Sequence, residues 1–290
     1  MDNYKFFLTC CTIIKNEGKY IQEWVEHYIS QGVEYFYIID NGSTDNTLEI
    51  LKEYDNITVF HDHRKKAEDQ VLMYIDNFIP VIKKSKWNIL VDADELIFVN
   101  KKYDTISNYL KYIKEDISCI YIIWKMYLGK DNNIKKMTDI KNRFNYDYLN
   151  IWTGIDKTNQ INWNLNLKYF LMFGKSIFKP NDLNQNVIWV HKQNVKGKMF
   201  NNFGKLENLT PDTIAQTTDY INEKTLNDAP IYLNHYFMKN QEEYSKRIKN
   251  EDYNTTNDTY IAHNKAPGWD YHKFLKDMYN MDEKFIIKEK

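Results

Sequence analysis

At 290 residues, with 43% apolar and 27% charged side chains, the chain has the apolar content to bury the core of one large or two small domains. A formal charge of -1 excludes a global electrostatic pull toward nucleic acid or anionic lipid, so any phosphate site must be local. Three cysteines, two of them adjacent (Cys10, Cys11, Cys119), exclude a disulfide framework, and with no signal-peptide pattern and no apolar run of bilayer length they predict a soluble, cytoplasmic protein.

Taken in chain order, Phe6 to Ile14 is an apolar, β-branched run that predicts a strand. Ile21, Trp24, Val25, Tyr28 and Ile29 follow at helical spacing, and Gly32 offers a stop. Tyr35 to Ile39 predicts a second strand, after which Ser43, Thr44 and Asp45 offer N-caps for a helix carrying Leu48, Leu51 and Tyr54. Ile57 to Phe60 predicts a third strand, and Val71, Ile75, Phe78 and Ile82 one face of a third helix. Strand and helix alternating at this length call for a parallel α/β sheet with right-handed crossovers and helices on both faces. The rhythm fades after Leu96, where Cys119 to Trp124 is the one clear strand and long polar stretches follow; helical spacing returns at Gln241 to Lys249 and Trp269 to Tyr279.

Trp87-Asn88-Ile89-Leu90-Val91-Asp92-Ala93-Asp94-Glu95 is an apolar run ending in three carboxylates within four residues. It reads as a buried fourth strand with acidic groups at its carboxyl edge, where open α/β sheets hold their ligands. Two Asp side chains two apart can take a hard divalent cation whose other positions go to water and phosphate oxygens. An acidic solvated turn is the competing reading.

Several blocks together resemble one family. They are Cys11 to Glu17, Glu23 to Tyr28, Gly32-Val33, Asp40 to Thr47, Asp92 to Glu95, Trp124 before Gly129, Arg143-Phe144, Lys175 to Pro180, His191, and Leu233 to Lys239 with Glu243. In order and spacing this set is similar to glycosyltransferase family 2-like proteins, closest to the family 92 (DUF23) type, over about residues 6 to 250. The resemblance implies a GT-A fold, the Rossmann-like sheet of nucleotide-diphospho-sugar transferases. It also implies a UDP-sugar donor, Mn2+ or Mg2+, and an inverting hexosyl transfer to a hydroxyl of a glycan, protein or lipid. The expected organisation is a single domain over 1–290, with a nucleotide-sugar half at 1–100, an acceptor-side half at 101–250 and a helical extension at 251–290.

Residue by residue, the resemblance implies that Asp94 binds the cation and that Asp92 meets ribose or reaches the metal through water. Glu95 either orients this cluster or caps a turn. His235 is the implied C-terminal metal ligand, with His191 competing; carboxylate plus imidazole suits manganese. Asn16 and Glu17 are expected beside the nucleotide or at a helix N-terminus, and Asp40 at the nucleobase or ribose or in an Asx-turn. Gln70 is expected to touch the nucleotide; Arg64, Lys65 and Lys66 just before it read as a solvated basic loop. Arg143, Lys175 and Lys179 are possible partners of the donor phosphates, against a default of exposure. Trp124 either stacks on a sugar or packs in the core, and His61-Asp62-His63 reads as a loop. Asp131 is the expected catalytic base.

Three other functions compete. A sugar-nucleotide pyrophosphorylase would carry an early Gly-rich basic loop, which Thr12 to Lys19 lacks. In a haloacid dehalogenase-type phosphatase the motif would continue with Thr or Val where Leu96 stands. An inactive carbohydrate- or nucleotide-binding GT-A module would not need an intact Asp92, Asp94 and His235.

Overall fold

The computed structural model describes residues 4–66, 69–131, 133–148, 173–205, 221–240, 242–243 and 286–289. Strand β1 (Phe6–Ile14), helix α1 (Ile21–Ser30), β2 (Tyr35–Asp40), α2 (Thr47–Leu51), β3 (Ile57–His61), α3 (Asp69–Asn77), α4 (Ile79–Ile82) and β4 (Ser85–Leu90) form the expected alternation. β1 pairs in parallel with β2 and β4, and β2 with β3, giving the Rossmann-like order β3-β2-β1-β4. The fold is α/β, with the parallel Rossmann-like half that was expected.

Helix α1 buries Ile21, Trp24, Val25 and Tyr28, while Ile29 stays 40% exposed at the end of the stripe. Its stop is a Schellman turn: the Gly32 amide donates to the Ile29 carbonyl at 3.0 Å and the Val33 amide to Tyr28 at 3.0 Å, with Gly32 at φ 88°. At α2 the N-cap is Asn46, without a side-chain bond, and Asp45 Oδ1 instead accepts from the Thr47 amide at 3.0 Å. The third helix departs from the predicted face. Phe78 and Pro80 divide it into α3 and α4, and the buried side chains are Met73, Tyr74, Phe78, Ile79 and Ile82, with Val71 and Ile75 only half-buried. Proline at the start of α4 lacks the amide needed to continue one ladder, so the apolar stripe is offset at the break.

Beyond the turn after β4 come β5 (Glu95–Val99), α5 (Ile106–Lys111), β6 (Ile117–Leu128), β7 (Asn142–Phe144), β8 (Gly174–Phe178), β9 (Lys198–Asn201), α6 (Glu223–Asp228), β10 (Ile231–Met238) and β11 (Ile286–Lys288). β6 is twice the length expected from Cys119 to Trp124, and every residue of it is buried. β8 runs antiparallel between β4 and β6. β10 lies parallel to the far half of β6 and antiparallel to β5. β11 pairs with β7, so the last described segment is strand where a helical extension was expected. Residues 251–285, and the predicted helices at 241–249 and 269–279 apart from 242–243, lie outside the described residues. Among the described residues no helix is long and apolar enough to cross a membrane. Cys10, Cys11 and Cys119 are free and buried.

One glycine fixes the approach of β8 to β6. A Cβ on Gly174 would lie 1.9 Å from the Ile122 carbonyl oxygen and 2.9 Å from Ile123 Cα, both backbone atoms that cannot swing aside. Gly174→Ala is expected to destabilise the fold by about 1–3 kcal/mol, the usual cost of overpacking. A urea midpoint matching the wild type would show that the strands part at no cost.

Candidate active site

The acidic turn between β4 and β5 is built from both sides. The Glu95 amide donates to the Asp92 carbonyl at 3.1 Å, and Glu95 Oε2 accepts from the Asp92 amide at 2.7 Å, so the Glu95 side chain caps the turn. The Trp24 indole donates to the Asp92 carbonyl at 3.1 Å, locking the turn onto α1. From the other side the β10/β5 ladder sets His235 opposite Glu95, and the Tyr236 amide donates to the Asp94 carbonyl at 2.8 Å. This register brings His235 Nε2 to 3.4 Å from Asp94 Oδ1 across 140 residues of sequence. The His235 ring packs on Trp124, 4.4 Å between centroids, and edge-on to Phe237 at 5.5 Å.

Asp92 is turned differently. Its Oδ2 lies 2.8 Å from the Nζ of Lys175, a side chain with no exposure at all, while Asp92 itself is 39% exposed. Burial works against the Lys175 ammonium, but the charges of Asp92, Glu95 and Tyr74 outweigh it and raise its pKa above that of an ordinary amine. Glu95 is fully buried; desolvation raises its carboxyl well above the usual range, with Lys175 opposing and Asp92 and Asp94 adding. A cation buried to this degree persists only when paired. Lys175 therefore anchors Asp92 from beneath.

At the carboxyl ends of β1 and β2, Asn16 and Asp40 meet in one bonded loop, while Glu17 and Gln70 make contacts of their own. Asn16, at φ 56°, donates its amide to Ser43 Oγ at 3.0 Å and accepts from the Thr44 amide at 2.7 Å. It is not the cap of α1, whose N-cap is Tyr20 without a side-chain bond. Glu17 Oε2 is 2.6 Å from Lys239 Nζ. The Asp40 carboxylate accepts from the amides of Gly42 at 3.3 Å and Ser43 at 3.0 Å and faces His61 Nδ1 at 3.4 Å, which is the Asx-turn reading. Burial opposes its ionisation, and these hydrogen bonds reverse that and lower its pKa. Gln70 donates to the Tyr74 hydroxyl at 2.7 Å, and the charges of Lys175 and Asp92 both reach Tyr74.

Two residues expected at the surface are buried in other networks. Arg143 is 2% exposed and forks onto Glu223 at 2.6 Å and Glu289 at 2.5 Å; Lys179 meets Glu115 at 3.1 Å and lies over the Trp87 ring at 5.1 Å. Both cations are held by partners remote in sequence. Arg64 is held by Asp62 and Asp76 and is only partly solvated. His191 Nδ1 donates to the Gly174 carbonyl at 3.0 Å, and burial with Lys175 nearby pushes the ring down to about 3, so it is neutral and His235 is the imidazole facing Asp94. Trp124 is buried and still borders the site through His235 and His191. Asp131 is exposed, its Oδ1 accepting from the Asn133 amide at 2.9 Å, on the loop that leaves β6 alongside the end of β10.

The donor chemistry suits a divalent cation at Asp94 and His235. One carboxylate oxygen and one imidazole nitrogen face each other, and His235 Nδ1 is buried without a hydrogen-bond partner among the described residues, so within them the ring's polar engagement is toward Asp94. Ring packing, instead of the usual second hydrogen bond, holds its orientation. Among the described residues no three His, Cys, Asp or Glu side chains converge as a complete protein chelate. A cation here would draw its remaining ligands from water and phosphate oxygens.

Comparison with known proteins gives a family. The model of glycosyltransferase family 92 matches residues 5–264. A family 92 protein of Ricinus communis is 25% identical over 97 residues, 33% of this chain and 17% of the relative. Among solved structures, TarS of S. aureus in complex with UDP aligns over 62% of this chain and 49% of its own, at 16% identity and a TM-score of 0.39. Glucosyl-3-phosphoglycerate synthase of Mycobacterium tuberculosis, in complex with Mn2+, UDP and glucosyl-3-phosphoglycerate, aligns over 62% and 58% at 11% identity and a TM-score of 0.31. The chain thus spans about half the length of these structures and under a fifth of the curated relative. With the family model covering residues 5–264, the chain belongs to glycosyltransferase family 92.

Proposed function

We propose that this chain transfers a hexosyl group from a UDP-sugar to a hydroxyl acceptor with inversion, using Mn2+ or Mg2+ held by Asp94 and His235. The observation that carries the reading is the meeting of these two side chains, 3.4 Å apart, at the carboxyl edge of a Rossmann-like sheet. The cation would supply electrostatic stabilisation of the departing diphosphate. Asp92, fixed by Lys175, is oriented to accept from a ribose hydroxyl on its exposed side. Asn16 and Asp40 shape the loop at residues 42–44 around the nucleotide, and Glu17 and Gln70 border it. Asp131 is the carboxylate to test as the base that takes the acceptor proton.

Thermal shift tests this without knowledge of the acceptor. A nucleoside diphosphate that binds only the folded state, at 100 times its Kd, contributes about 2.7 kcal/mol. A clear rise in Tm with UDP plus manganese, and little with either alone, is the expected result. No shift with any nucleotide under any metal condition would reject the transferase reading and favour an inactive binding module.

A further inference from the structure

The leaving diphosphate carries one more negative charge than the sugar nucleotide it comes from, and one divalent cation beside Asp94 does not neutralise it. A second positive group is needed, and three of the buried cations are held in ion pairs of their own. Lys175 is fully buried on Asp92, Arg143 is forked between Glu223 and Glu289, and Lys179 is on Glu115. Lys239 differs. It follows the end of β10, four residues after His235, its side chain is 10% exposed, and the Asp94 charge acts on it. Its Nζ sits 2.6 Å from Glu17, on the turn after β1, and 4.7 Å from the Tyr20 ring centroid. The chain beyond it is fastened to the same turn: Glu243 accepts from Lys19 Nζ at 2.9 Å and the Tyr20 hydroxyl at 2.8 Å, and Asn240 Nδ2 donates to it at 2.7 Å.

Resting on the proposed transferase reading, we infer that Lys239 is the second cation of the donor site, its ammonium contacting the terminal phosphate of a bound nucleoside diphosphate while Glu17 and Tyr20 hold it in position. An ammonium has three N–H donors, so one can remain on Glu17 while another meets a phosphate oxygen. Because charge grows on that phosphate as the anomeric carbon–oxygen bond breaks and the electron pair stays on oxygen, the contact strengthens toward the transition state.

The test is calorimetric titration of UDP and UMP, with manganese, into wild type, Lys239→Met and Lys239→Arg, with melting curves on each. Lys239→Met is expected to weaken UDP binding by about 10- to 100-fold, the worth of a charge-assisted hydrogen bond, and to leave UMP unchanged. Lys239→Arg, which keeps the charge, should recover most of the loss. In donor hydrolysis the methionine variant should lose kcat more than it raises KM. Equal UDP affinity in wild type and Lys239→Met, or an equal loss for UMP and UDP, would overturn the assignment and leave Lys239 as a fastener of the chain after β10. Failure of the wild type itself to bind UDP would instead sink the transferase reading, and this assignment with it.

Discussion

Asp94→Ala is expected to lower the rate at which a nucleotide sugar is cleaved by about 10²- to 10³-fold, the range seen when one preplaced electrostatic group is removed from a transition state. Release of nucleoside diphosphate into water measures this and needs no acceptor. The fold should survive, because the hydrogen bond from the Tyr236 amide to the Asp94 backbone carbonyl still ties β10 to the turn once the side chain is gone. A chelator should bring the wild type down to the level of the variant and leave the variant nearly unaffected, since two changes that remove one interaction do not add. Near-wild-type turnover in Asp94→Ala, or turnover indifferent to the chelator, would defeat the proposed cation site.

Lys175→Met is expected to cost about 3–5 kcal/mol of stability, the penalty for breaking a buried ion pair from one side. The ammonium is fully buried, and its removal takes away the cation that opposes the crowding of buried Glu95 by Asp92 and Asp94. Since the pKa of Lys175 is raised on folding, its contribution is fully present below the ordinary amine value of about 10.4 and is lost only as pH rises through the higher folded value. On the lysine side the gap between wild type and variant should therefore persist through the neutral range, narrowing toward acid where Glu95, whose carboxyl burial raises, takes up a proton. The Lys19–Glu243 pair is a control: both partners are partly exposed, and Lys19→Met should cost under about 1 kcal/mol. Urea midpoints at constant m decide the matter. A stable Lys175→Met protein that merely binds nucleotide weakly would return Lys175 to the role of phosphate contact.

The parts of this structure legible in the sequence are those set by local period and punctuation. β1 to β4 and the stripe of α1 follow from runs and spacings a few residues long, and Gly32 ends its helix by a backbone conformation that glycine adopts freely. Asp92 and Asp94 were visible for the same reason, as an abrupt change at a strand end. What was not legible depends on partners far away in the chain. Nothing near Arg143 announces Glu223 and Glu289, and nothing near Lys175 announces Asp92. The choice between His191 and His235 was closed to sequence reasoning because it rests on the β10/β5 register. Lys239 had a weak signal, its place four residues after His235 and just past the end of the same strand, which the irregularity in β10 after His235 obscures.

Strand β8 has a consequence for motion. It is hydrogen-bonded to β4 on one side and β6 on the other, so the strands carrying the carboxylate turn and those carrying His235 are stitched through one continuous backbone ladder. Opening a cleft between them would mean unzipping that ladder, and the close backbone crossing at Gly174 leaves no slack for sliding. Among the described residues the sheet is thus built as a rigid anvil, with no hinge between these strands. On the proposed reading, admitting and releasing substrate falls to the loops at the carboxyl edge.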